Sequence, residues 1–272
     1  MRLFISFMLL AILSACASTK ISTSVAPSDS SDPRLAGDEK TNCLNFSPNL
    51  KKARPTPDQS EKKTTNSSSV KASSSIDALF WCTKAAEKGD ASSQYVLADM
   101  YESGTGVPKS QVEAIRWYKE SAKGGNANAQ YKVGLMYGKG EGVTQDKNEA
   151  TTWYKKAAEQ GHVEAEFTLG YRYEFGKGVA QNYSEAIRWY NKAAEKGNSS
   201  AQNYLGVMTA AGHGVPQNNV EAYKWFNIAA VSGQKEYVNN RDKIAKKLNR
   251  TQLSEGQKLA SDWVKAHSEA KK

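Results

Sequence analysis

Tryptophan stands at positions 81, 117, 153, 189 and 225, four consecutive intervals of 36 residues. A fixed period of that length marks an array of similar supersecondary units, and it constrains the fold more than any local propensity does. Other columns keep the same register. Small pairs follow each tryptophan at Ala85-Ala86, Ser121-Ala122, Ala157-Ala158, Ala193-Ala194 and Ala229-Ala230, and glycine recurs at 89, 125, 161, 197 and 233. A further column reads Ala98, Gly134, Gly170 and Gly206. A Gly-x-Gly-Val run begins at Gly104, Gly140, Gly176 and Gly212.

Each period reads as two helices. Ala150, Trp153, Tyr154, Ala157 and Ala158 follow the spacing of one helical face. Asp146 with Glu149 three residues on is a capping box, repeated as Ser110/Glu113, Asn182/Glu185 and Asn218/Glu221. Ser74/Asp77 is the first copy, which predicts that the folded part starts near residue 76. Asp90, Asn126, His162 and Asn198 are placed to cap the second helix of each unit. Gly-x-Gly-Val is a turn and not a phosphate cradle: it lacks the Lys-Ser/Thr ending and recurs in every unit.

The run Glu-Ala…Trp…Ala-Ala…Gly…Leu-Gly…Tyr…Gly-x-Gly-Val resembles the Sel-one-like repeat, a longer relative of the tetratricopeptide repeat. The resemblance covers residues 76–233. It implies an all-α fold, a right-handed α/α solenoid of about five helix-turn-helix repeats closed by C-terminal helices. Val238, Ile244 and Leu248 are in helical register over 234–249, and a last helix over 251–267 carries Leu259 and Trp263. The family resemblance further implies a scaffold or adaptor whose extended surface binds other proteins. The chain departs from the pattern at Asn203, Thr209 and Cys82. It also lacks the paired cysteines that some exported relatives carry in each repeat.

The first 15 residues read as an export signal, with Arg2 ahead of an apolar run from Leu3 to Leu13 that is too short to span a bilayer. Leu13-Ser14-Ala15-Cys16 resembles the lipobox of bacterial lipoproteins, which implies lipidation of Cys16. An ordinary signal with an incidental cysteine is the alternative. Ala17 after the cysteine points by the same resemblance to the outer membrane, and the expected orientation is towards the periplasm, the alternative being outward-facing. Residues 17–75 contain 14 Ser, 6 Thr and five of the seven prolines, with Phe46 as their sole aromatic. This composition predicts a disordered tether over 16–75 with a reach of roughly 40–50 Å. Apolar residues reappear within it at Cys43, Leu44, Phe46 and Leu50.

The net charge of +9 belongs to the ends, because residues 76–233 hold 17 basic and 17 acidic residues. A nucleic-acid interface, which needs a basic stripe on the folded body, is not expected. Cys43 and Cys82 remain once Cys16 is lipidated. An even pair in an exported chain predicts a disulfide pinning an N-terminal cap, the alternative being two separate thiols. His162, His213 and His267 have no ligand spacing, so neither metal nor cofactor is expected. Ser68 and Lys71 match a Ser-x-x-Lys spacing used by penicillin-recognising enzymes but fall in the expected tether. The repeated tryptophans, Trp81, Trp117, Trp153, Trp189 and Trp225, are all read as core and not as a ligand cage. Candidate partner-binding positions come from variable columns: Arg116, Arg188 and Lys224 in one, Lys132 and Tyr204 in another. The expected function is an anchored, non-catalytic envelope scaffold that binds a protein partner. The alternatives are a cell-wall or host-surface binder and an envelope hydrolase.

Overall fold

The computed structural model describes residues 38–46 and 67–269. Their regular structure is all helix, with no strand among the described residues. A short α1 (Glu39–Phe46) precedes α2 (Ser67–Glu87). The array continues with α3 (Ala91–Ser103), α4 (Gln111–Lys123), α5 (Ala127–Lys139), α6 (Lys147–Glu159), α7 (Val163–Phe175) and α8 (Tyr183–Glu195). It ends with α9 (Ser199–Ala211), α10 (Asn219–Ala230), α11 (Lys235–Ala245) and α12 (Arg250–Glu269). From α1 to α11 each helix packs on its sequence neighbours and α12 packs back on α10, so the described residues form an α/α solenoid, with the most extensive packing between the helices joined by Gly-x-Gly-Val.

The turns work as their residues dictate. Gly104, Gly140, Gly176 and Gly212 close α3, α5, α7 and α9 with φ between 63° and 78°, a backbone that costs glycine nothing. Ser110, Asp146, Asn182 and Asn218 accept backbone N–H bonds at the starts of α4, α6, α8 and α10. The reciprocal half of the capping box is not used. The N-cap's own N–H instead donates to a carbonyl of the preceding helix, as from Ser110 to Tyr101 and from Asp146 to Tyr137, at 3.0 and 2.9 Å. That frees Glu113, Glu149, Glu185 and Glu221 for side-chain partners.

The core is a stack of rings on small residues. A Cβ at Gly134, Gly170 or Gly206 would lie 2.6–2.7 Å from the ring of Tyr154, Tyr190 or Phe226, so glycine lets each ring lie flat on the helix before it. A polar column accompanies this stack. Gln94, Gln130 and Gln202 each donate an amide N–H to the carbonyl of Ala86, Ala122 or Ala194, at 3.1–3.2 Å. Glu166 occupies the same column, cannot donate as a carboxylate, and is held instead by Lys196 at 2.6 Å. In the preceding repeat Gln160 and Gln130 make the equivalent contact at 2.7 Å.

Several expectations need correction. The tryptophans are not uniformly core. Trp117, Trp189 and Trp225 are buried, but Trp81 and Trp153 are only partly buried and pack against the edge of the core. The residue before each ring differs along with burial, although Lys156 also lies over the Trp153 ring, at 4.1 Å. Arg116, Arg188 and Lys224 lie over the three buried rings, whereas Phe80 and Thr152 stand in that position before Trp81 and Trp153. Phe80 meets Trp81 edge to face, 5.1 Å between centroids, and does not cover it.

Helix α2 starts at Ser67, so Ser74 lies inside it and is not a cap; no glycine turn precedes Ser74 to interrupt the backbone. Helix α1 and the first turns of α2 therefore fall within the stretch read as a disordered tether. The signal, Cys16, Leu50 and the rest of the tether lie outside the described residues. At the other end α12 closes the array, but Leu259 faces solvent. The covering contacts come from Ala260, buried, and from Trp263, 5.5 Å from Trp225. None of the described helices is long and apolar enough to cross a membrane.

Candidate functional site

The variable-column cations are already engaged. Arg116, Arg188 and Lys224 pair with the freed acids Glu113, Glu185 and Glu221, each at 2.5–2.8 Å. They also lie over Trp117, Trp189 and Trp225, at 4.0–4.5 Å from the ring centroids. The hydrogen bond from Arg188 holds the Glu185 carboxyl below its ordinary range. Where Thr152 replaces the cation, Glu149 accepts from the Trp153 indole at 2.8 Å. Lys132 pairs with Glu102 at 2.9 Å. These contacts make Arg116, Arg188, Lys224 and Lys132 covers for the core. They do not form a free ladder of donors.

The buried hydroxyls are similarly committed. Tyr118 donates to Asp99 and to Glu102, and Tyr190 donates to Glu174 at 2.7 Å. Burial, then the neighbouring carboxylates, pushes both phenols far above their ordinary range, so neither can serve as a base. Tyr154 has Gly138 where the others face an acid. It meets Arg172 instead, whose guanidinium lies 5.0 Å from its ring; burial raises this phenol to about 12. Arg172 is itself buried, and it donates to the carbonyls of Lys177 and Lys147 at 2.5 and 3.4 Å.

At the N-terminal end a disulfide joins Cys43 to Cys82, both fully buried. Lys40–Asp90 and Glu39–Lys88 ion pairs, at 2.8 and 2.6 Å, accompany it across α1. His162 caps α7: its Nδ1 accepts from the Ala165 N–H at 3.2 Å while its ring stacks on Tyr131. Burial moves its pKa below the ordinary value. His213 stacks on Tyr183, and His267 stacks on Trp263. Among the described residues no group of three or more His, Cys, Asp or Glu could hold a metal ion. Ser68 and Lys71 lie on helical backbone of α2, contrary to the coil expected there, with side chains outside the described set.

Only Tyr204 among the candidates sits in a surface that is both apolar and open. Its ring lies 6.0 Å from Tyr171, which lies 4.6 Å from Phe175. Phe175 is 48% exposed and Val207, one turn from Tyr204, is 37% exposed. Beside them is a hollow of about 270 Å³ with Phe226 and Ile244 as its floor, Ala210 and Ala211 as one wall, and Lys243 and Lys247 at its rim. Reading the sequence missed this hollow. The one hint was that Asn203 and Thr209, on the same helix, break the repeat pattern.

The Sel1 repeat model matches residues 70–90, 91–126, 127–162, 163–198 and 199–233. A Sel1 repeat protein from Oxalobacter formigenes is 32% identical, with 71% of this chain and 79% of that one covered and a TM-score of 0.57. A protective antigen of uropathogenic Escherichia coli strains with an SLR fold is 30% identical over 70% of this chain, at a TM-score of 0.47. This chain spans about half of that protein, 48%. The Helicobacter pylori cysteine rich protein B is 23% identical over 47% of this chain and 92% of its own, at a TM-score of 0.39. No match was found among curated proteins.

Proposed function

The chain belongs to the Sel1 repeat family, and from that premise we propose that it is a lipid-anchored envelope scaffold that holds a partner protein on its solenoid surface. Sel1 repeat proteins are in general protein–protein interaction scaffolds. The observation that carries the reading here is the open apolar surface of Tyr171, Phe175, Tyr204 and Val207 beside an unfilled hollow. A solenoid body of balanced charge has no reason to leave such a surface uncovered unless something docks on it. The chemistry-bearing groups described above are spent on the fold: the phenols are pushed up by burial, and the cations are paired.

Anchoring rests on the lipobox-like Leu13-Ser14-Ala15-Cys16 after an export signal. Ala17 after that cysteine supports the outer membrane, where the chain would face the periplasm. The buried Cys43–Cys82 bridge suits an oxidising compartment of that kind. A rigid array then presents the surface, and the stretch between Cys16 and the first helix sets its distance from the membrane.

In-cell cross-linking of the full protein, followed by mass spectrometry, tests this against a Cys16→Ser control. One dominant envelope protein, lost in the control, is the expected result. Recovery of glycan fragments in place of protein moves the assignment to wall binding.

A further inference from the structure

Building on the scaffold reading, we infer that the hollow between α9, α10 and α11 seats one large apolar side chain of an acidic protein segment, whose carboxylates are held by Lys243 and Lys247. The hollow exists because three filling groups are missing together. The position held by Glu102 and Glu174 in earlier repeats is Ala210, and the position held by Lys139 and Phe175 is Ala211. The ring that carries a hydroxyl in Tyr118, Tyr154 and Tyr190 is Phe226. In the preceding repeat the same space is occupied by the Glu174–Tyr190 hydrogen bond and by Phe175 packed on Tyr171. The hollow of about 270 Å³ has an apolar floor and wall. Apolar cavities of about 150 Å³ take a benzene-sized group, so an aromatic or branched aliphatic side chain fits here.

The rim selects the charge of what enters. Lys243, in the last turn of α11, and Lys247, in the turn just after it, are exposed and without an ion-pair partner among the described residues. Lys246 adds a third cation beside them. The acid next to them in sequence, Asp242, is held by Arg241 at 2.8 Å. These lysines continue the columns of Tyr171–Val207 and Phe175–Ala211 by one more period. One stripe therefore runs from an aromatic patch through a hollow to a basic rim, in that order. Lys177, 4.5 Å from the Tyr171 ring, marks the other end of the patch. Opposed charge at a rim governs encounter and choice of partner, and the buried anchor supplies retention.

The test is selection of a phage-displayed library of random 12-residue peptides on the purified mature chain carrying Cys16→Ser and its disulfide. The enriched peptides are then synthesised and titrated by fluorescence anisotropy. Enriched sequences should share an aromatic or branched aliphatic residue flanked by aspartate or glutamate. Ala211→Phe, which restores the side chain of the preceding repeat at an exposed position, should weaken binding about tenfold or more with melting unchanged. Lys243→Glu with Lys247→Glu should also weaken it about tenfold, an effect that added salt mimics. Binding that ignores Ala211→Phe overturns this site and leaves the scaffold reading standing. Failure to enrich any such peptide overturns the peptide ligand. Vesicles of phosphatidylglycerol that retain the chain only while both lysines are present would make the occupant a lipid. If neither peptide nor cross-linked protein is recovered, both readings fall.

Discussion

The junctions α7–α8 and α9–α10 are the same architecture one period apart, and they solve the same packing problem differently. In the first, Tyr190 lies flat on Gly170 and its hydroxyl donates to the buried Glu174 at 2.7 Å. In the second, Phe226 lies flat on Gly206 in the same way, but Ala210 stands where the acid was. At these two junctions phenol and acid are kept together or dropped together. Tyr118 with Glu102 follows the first rule, and Tyr154 with Gly138 is served by Arg172 instead. Hydrogen-bonding need is thus settled pair by pair, because a buried donor or acceptor without a partner costs about 1–3 kcal/mol. Ring volume is held constant, since stacking one hairpin on the next depends on it. The difference leaves the first junction filled and the second hollow.

The comparison is sharpened most by removing the ring. Tyr190→Ala should cost about 3–5 kcal/mol in chemical denaturation, through the cavity left on Gly170. Tyr190→Phe should cost less, about 1–3 kcal/mol, because Glu174 is left without its donor. Adding Glu174→Ala rebuilds the Phe226–Ala210 arrangement and should recover most of that loss. A double variant no better than the single one would break the pairwise account.

The joins before α7 and α9 differ in a smaller way, a His162 cap against an Asn198 cap. Burial lowers the His162 pKa from its ordinary 6.5, with Glu164 opposing. The folded state therefore favours the neutral ring. Its contribution is full above pH 6.5 and is lost as the pH falls through the folded value. Protonation also removes the Nδ1 acceptor used by Ala165. His162→Asn should flatten that part of the stability–pH curve and leave stability at pH 8 nearly unchanged. The smallest effect is expected at Arg188→Ala. Its ion pair with Glu185 is half exposed, and exposed pairs contribute about 0–1 kcal/mol. The melting temperature should barely move.

Much of the fold was legible because each signal is local or strictly periodic. The tryptophan column, the turn glycines and the caps at Asp90, Asn126, Asp146 and Asn182 each report on a few consecutive residues. The period places every tryptophan but does not say how deeply each is covered. That depends on the groups that tertiary packing brings around each ring, such as Trp263 against Trp225, while Trp81 and Trp153 stay partly open. The start of α2 was not legible. Ser74 with Asp77 has the form of a capping box, yet a serine run can continue a helix when no turn precedes it. The acids of the other boxes were assigned to the backbone, although the N-cap N–H groups find carbonyls on the preceding helix. That contact depends on the tertiary approach of two helices. The cations at 116, 188 and 224 looked free for the same reason, since their partners are those very acids. The hollow was hidden because it results from small residues at 210 and 211 facing a ring at 226, and it becomes a cavity only once α11 closes beside them.

The most direct test of the central claim places a photoreactive side chain at position 243, beside the hollow, and in a second protein at position 135, the same column on α5. Both are expressed from the whole sequence and irradiated in cells. The account predicts one dominant protein adduct from position 243, none from position 135, and loss of the first when Ala211→Phe is added. Equal adducts from both positions, or an adduct at 243 unchanged by Ala211→Phe, would contradict the claim that this solenoid takes its partner where the repeat leaves its filling out.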